Sequence, residues 1–174
     1  SVGIVPLAGI IGNNVWQQFV LDIDYSAQSL TLHKPSQDDF FGAMDKPEGI
    51  IFNGQHVLME AELVIDTGSG KIVQTVFGNL DTASRGLLLN ADDVPQLVEN
   101  SNATPDLILG VGAEPSTAVQ DTRIVEVDSV NIAGLSLEQP FRATIISPPP
   151  QLQFVSLFGH ELFDGRRLII DYSR

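Results

Sequence analysis

The chain contains no cysteine, which excludes disulfides, thiol catalysis and thiolate metal sites and leaves the redox compartment undetermined. It is poor in positive charge: nine Lys and Arg stand against 22 Asp and Glu, for a formal net charge of −13. Phosphate binding needs clustered cations, so the balance argues against nucleic acid and anionic membrane surfaces as partners. It suits a solvated acidic surface and work at acid pH, where neutralised carboxylates repel one another less. No apolar run approaches the roughly 20 residues that span a bilayer, so no membrane span is expected. The opening residues, Ser1-Val2-Gly3-Ile4, lack a basic n-region, and no signal peptide is expected within the chain. Helical periodicity is also scarce.

What is present is ample apolar material. Hydrophobic residues make up 43% of the 174 positions and charged residues 18%, enough to pack one ordinary domain or two small ones. Strand signals dominate. Val57 to Ile65 reads as a strand with Glu60 and Glu62 on one face, and Arg123 to Ile132 alternates with the period of a half-buried strand. Phe141 to Ile146 reads as another, and Val20–Tyr25 with Ser29–His33 as a hairpin. Short helices are expected at Asn13–Phe19, Ala91–Asn100 and His160–Phe163. Residues 34–49 read as a polar linker, and 101–105 and 148–150 as loops.

An internal repeat organises these elements. The stretch from Ile10 to Ser26 recurs from Leu157 to Ser173, without gaps. Gly12 matches Gly159 and Asp24-Tyr25-Ser26 matches Asp171-Tyr172-Ser173, always 147 residues apart. Val15 and Trp16 meet Leu162 and Phe163, so the apolar pattern repeats as well. One unit is therefore about 147 residues long. Residues 1–35 read as the end of a first lobe, 36–49 as a linker and 50–174 as a nearly complete second lobe.

The chemistry centres on Leu63-Val64-Ile65-Asp66-Thr67-Gly68-Ser69, an apolar strand that runs into Asp-Thr-Gly-Ser. If Asp66 is catalytic, the strand fixes its backbone in the core. The Thr67 hydroxyl bonds neighbouring backbone, and Gly68 permits close approach and offers its N–H to the carboxylate. Leu157-Phe158-Gly159, about 90 residues further on, strengthens the signal.

With these motifs the chain resembles the pepsin-like and retropepsin-like aspartic peptidases, and most of all the bacterial two-lobed retropepsin-like proteins. The resemblance covers residues 7–33 and roughly 57–173. Asp66-Thr67-Gly68-Ser69 matches the family's first element, Leu157-Phe158-Gly159 its hydrophobic-hydrophobic-Gly element, and Leu168 to Tyr172 its last strand. The resemblance implies an all-β fold, a closed lobe with a few short helices, and a flap turn assigned by analogy to Gly110-Val111-Gly112. It implies endopeptidase activity on extended polypeptide substrates, with no cofactor and no metal. It also favours a periplasmic or secreted location.

That mechanism needs two aspartates sharing a proton, and the chain offers one such motif. The repeat puts the sister of Asp66 about 81 residues upstream of Ser1. The partner is then a first lobe carried on a separate N-terminal chain of a nicked precursor, or a second copy in a homodimer. A retropepsin-like lobe kept only for peptide binding or assembly is the rival expectation.

Other motifs are set aside. His160-Glu161-Leu162-Phe163-Asp164 lacks the second His of a zinc-protease helix. His56, Glu60 and Glu62 read as a solvated strand face. No His–Asp pair is placed to activate Ser69. Gly110-Val111-Gly112 lacks the further glycine of a dinucleotide loop. Asp24 and Asp171 read as strand-end residues that tie down turns, and Trp16 and Phe163 as core.

Overall fold

The structure is a computed structural model and describes residues 12–35, 50–53, 56–103, 121–148 and 154–172. The fold is all-β with a few short helices. Its elements begin with α1 (Asn13–Trp16), β1 (Val20–Asp24) and β2 (Ser29–His33), followed by β3 (Ile50–Asn53), β4 (His56–Asp66) and β5 (Lys71–Asp81). Next come β6 (Leu87–Asn90), a 3-10 turn over Ala91–Asp93, α2 (Pro95–Glu99) and β7 (Asn102–Ala103). The chain continues through β8 (Asp121–Val127), β9 (Ser129–Ile132), β10 (Leu135–Leu137) and β11 (Phe141–Ser147). It closes with β12 (Ser156–Gly159), a 3-10 turn over His160–Phe163 and β13 (Arg167–Asp171). Among the described residues, no helix is long and apolar enough to cross a membrane. The expected flap residues Gly110 and Gly112 and the linker 36–49 lie outside the described residues.

These elements fall into two compact units. The larger is a ten-stranded mixed sheet in the order β10-β9-β4-β5-β12-β6-β11-β8-β7, with β3 also paired to β4. The burial of β4 shows why its register is fixed. Val57, Met59, Ala61, Leu63 and Ile65 face inward, while Glu60, Glu62 and Asp66 face solvent. A slip of one residue would bury both glutamates and expose the apolar row, at about 1.5–3 kcal/mol for each large side chain. At the centre, β12 runs parallel to β5 on one side and antiparallel to β6 on the other. Strand β11 is likewise parallel to β6. Parallel neighbours require crossover connections, so β12 enters the sheet from far along the chain and locks strands already laid down. Ser156, fully buried, anchors its start: its Oγ accepts the Asn90 N–H and donates to Asp93 Oδ2, both at 3.0 Å.

The single strand expected over 123–132 is two strands. Val125 and Val127 are buried on β8, but Val130 and Ile132 are buried on β9, so the inward phase changes from odd to even positions. The break falls at Asp128, whose N–H donates to the Val64 carbonyl at 2.8 Å. The helix expected over 91–100 is interrupted at Val94, because Pro95 favours an extended residue before it and begins a helix well itself.

The smaller unit holds a three-stranded sheet, β13-β1-β2. Its strands β1 and β13 are the two copies of the internal repeat, paired antiparallel with each other. Asp22 stands opposite Ile169, its own equivalent 147 residues on. The flanking pairs Leu21↔Ile170 and Ile23↔Leu168 exchange under the repeat, so a local two-fold axis passes through Asp22 and Ile169. Whereas the sequence boundaries assign Arg167–Asp171 to the second lobe, its strand partner is β1 of the N-terminal segment. Phe163 is buried and Trp16 half-buried.

Candidate active site

Asp66 is the last residue of β4 and opens a tight turn to Lys71, its partner at the start of β5. The turn is held from within. Gly68 N–H donates to Asp66 Oδ1 at 2.8 Å, Thr67 N–H donates to the Gly70 carbonyl at 3.0 Å, and Thr67 Oγ1 donates to the same carbonyl at 2.9 Å. Ser69 Oγ lies 3.0 Å from Thr67 Oγ1. Gly68 adopts φ +75°, which glycine reaches without the penalty a side chain would carry. One further tie comes from outside, where Asp66 N–H donates to Asp128 Oδ2 at 2.6 Å. Asp66 and all of Thr67 to Gly70 are exposed.

The structure does not bring this turn to Leu157-Phe158-Gly159. Those residues pair with Asn79, Leu80 and Asp81, at the opposite end of β5 from Lys71. Roughly 30 Å of strand separates the two ends at the usual rise per residue. What lies against Gly159 is a different turn, Asp81-Thr82-Ala83-Ser84-Arg85-Gly86. It departs from Asp66-Thr67-Gly68-Ser69 over its first four residues only at the third. Ala83 N–H donates to Asp81 Oδ1 at 2.9 Å, the same bond that Gly68 makes to Asp66. Ala83 has no positive φ, so this turn has no need of glycine at that position.

The segment after Phe158 holds this second turn by its backbone. Gly159 N–H donates to the Gly86 carbonyl at 2.9 Å, His160 N–H to Ser84 at 3.0 Å and Glu161 N–H to Arg85 at 2.9 Å. A Cβ on Gly159 would sit 2.6 Å from both the Gly86 and Ser84 carbonyl oxygens, so the approach is closed to any other residue. Beneath it Phe158 is fully buried, with its ring where a Cβ on Gly78 would be. Asp81 is half-buried. Asn79, two residues earlier on the same face of β5, has a buried Oδ1 with no hydrogen-bond partner among the described residues.

No protein-family model matches the chain, and no curated protein matches it. Among solved structures the chain is similar to a retropepsin-like aspartic protease from Rickettsia conorii, with a TM-score of 0.42 and 14% identity over 66% of this chain and 81% of that one. It is also similar to EIAV protease complexed with the inhibitor HBY-793, with a TM-score of 0.41 and 16% identity over 69% of this chain and 99% of that one.

The Asp81 turn is absent from the sequence reading although the signal was there. Asp81-Thr82-Ala83-Ser84 repeats the Asp-Thr-x-Ser pattern 15 residues after Asp66. The other sequence candidates take structural places. His56, Glu60 and Glu62 lie on the exposed face of β4. Asp24 Oδ1 accepts the Ala27 N–H at 2.8 Å and ties the β1–β2 turn. Asp22, a buried residue, receives Arg167 Nε at 2.6 Å and Nη2 at 2.5 Å, with His33 Nε2 at 3.0 Å. The Arg167 guanidinium chiefly holds its carboxyl down to about 2, against the opposing effect of burial.

Proposed function

We propose that the chain supplies one carboxylate of an aspartic endopeptidase. The observation that carries this reading is the turn type: at the ends of two long strands, an Asp-Thr turn fixes its carboxylate through the amide two residues on. Asp66, with Thr67, Gly68 and Ser69 as its support, is one; Asp81 is the other. A carboxylate held in one orientation can face a second at about 3 Å, where the pair retains a single proton and titrates as a unit. The ionised member takes a proton from water as the water oxygen bonds the scissile carbonyl carbon. The protonated member gives its proton to the carbonyl oxygen. When the tetrahedral intermediate collapses, the C–N bond breaks, the leaving nitrogen takes the proton that the first carboxylate drew from water, and the second carboxylate recovers its own from a hydroxyl of the intermediate.

The second carboxylate comes from a partner, either a first lobe on a separate N-terminal chain or a second copy of this one. The substrate is an extended polypeptide, read by strand pairing along its backbone. The family resemblance favours a periplasmic or secreted location for such an enzyme.

Native mass spectrometry of the purified protein, followed by cleavage of an unfolded protein substrate across acid to neutral pH, tests the reading. The expected result is an assembly heavier than one chain that cleaves the substrate, with loss of cleavage in the doubly substituted Asp66→Asn, Asp81→Asn protein. An 18.8 kDa monomer without activity would leave the chain as a peptide-binding or assembly module.

A further inference from the structure

The geometry points to Asp81, at the turn gripped by Gly159, as the carboxylate this chain contributes. This assignment rests on the peptidase reading above. Two independent observations separate Asp81 from Asp66.

The first is fixation. A group that must meet a water and a carbonyl within a fraction of an ångström has to sit on a rigid support. Three consecutive amides, from Gly159, His160 and Glu161, bond three consecutive carbonyls of the Asp81 turn. Gly159 ends β12, the central strand of the ten-stranded sheet, flanked on both sides, and His160 and Glu161 open the 3-10 turn that follows it. Asp66 is tied inside its own turn and to one exposed residue, Asp128. A turn tied mainly within itself and open to solvent lies toward the low-stability end of a structure.

The second is solvent. Asp81 is half-buried whereas Asp66 is exposed. Electrostatic work on a developing charge is stronger where water is partly excluded.

The assembly isolated by native mass spectrometry decides the matter, by steady-state cleavage of a fluorogenic peptide. Asp81→Asn is expected to lower kcat/KM by at least 100-fold with an unchanged melting temperature. Asp66→Asn is expected to lower it by no more than about fivefold, through loosening of the hairpin end. A 100-fold loss in Asp66→Asn with activity kept in Asp81→Asn would overturn the assignment and leave the peptidase reading standing. Full activity in both single variants and in the double variant, or a wild-type assembly that cleaves nothing, would overturn both.

Discussion

Gly159 carries more of this structure than its size suggests. The atoms a Cβ would meet are backbone, at 2.6–2.7 Å, and cannot swing aside. Gly159→Ala must therefore push the Ser84–Gly86 segment away or break the hydrogen bonds that hold it. The expected cost is about 1–3 kcal/mol, the range for overfilled interiors, read as a lower urea midpoint. At Gly78 the obstacle is the Phe158 ring, so Gly78→Ala disturbs the same layer from the other side. Asp22 makes a second prediction at this scale. Its folded pKa is depressed from 3.8 to about 2, first by the hydrogen bond from Arg167. A depressed carboxylate pKa contributes stability that is present above the unfolded value and is lost as pH falls through the folded one. The urea midpoint should drop between about pH 4 and pH 2, and the drop should be smaller in Asp22→Asn. The Arg85–Glu161 pair, by contrast, is expected to contribute little, since the Arg85 side chain stays almost wholly in water, which screens the attraction.

Among the elements, strands with one wet face were legible and strands with two mixed faces were not. The β4 pattern of inward apolar residues and outward Glu60 and Glu62 is visible in the sequence, and the strand forms there. Its partner β5 was invisible because Val73 and Phe77 point to solvent, 55% and 52% exposed, so its apolar residues do not alternate. That omission also hid the turn at its end. The sequence paired Asp66 with Leu157-Phe158-Gly159, but which turn β12 meets depends on a parallel pairing across 78 residues, from Asn79 to Leu157 and its neighbours. Local pattern cannot report such a pairing. The β4–β5 end carries its own prediction. Asp128 reaches across from the β8–β9 break to the Asp66 amide, and Asp128→Ala removes that acceptor. Hydrogen exchange at Asp66 should accelerate by about tenfold, consistent with loss of one bond to a charged acceptor, while exchange in β12 stays unchanged.

For the molecule as a whole, the repeat was readable letter by letter, yet its structural meaning was not. Identity at Gly12 and Gly159 and across Asp-Tyr-Ser showed two copies; it gave no sign that the copies would lie side by side. Their pairing is a matter of timing as well as shape. Strand β1 exists in the growing chain long before β13, and the ladder that joins them closes a loop of nearly the whole described length. Contacts so distant in sequence form slowly, because the entropy of closure is lost before any contact compensates for it. Until residue 171 has been made and delivered, the edge of β1 that faces β13 has open hydrogen-bonding groups, with β2 covering only the other side. Strand β13, made after the other described strands, thus acts as a clasp, and a nascent chain that lingers before it emerges offers a sticky edge to its neighbours.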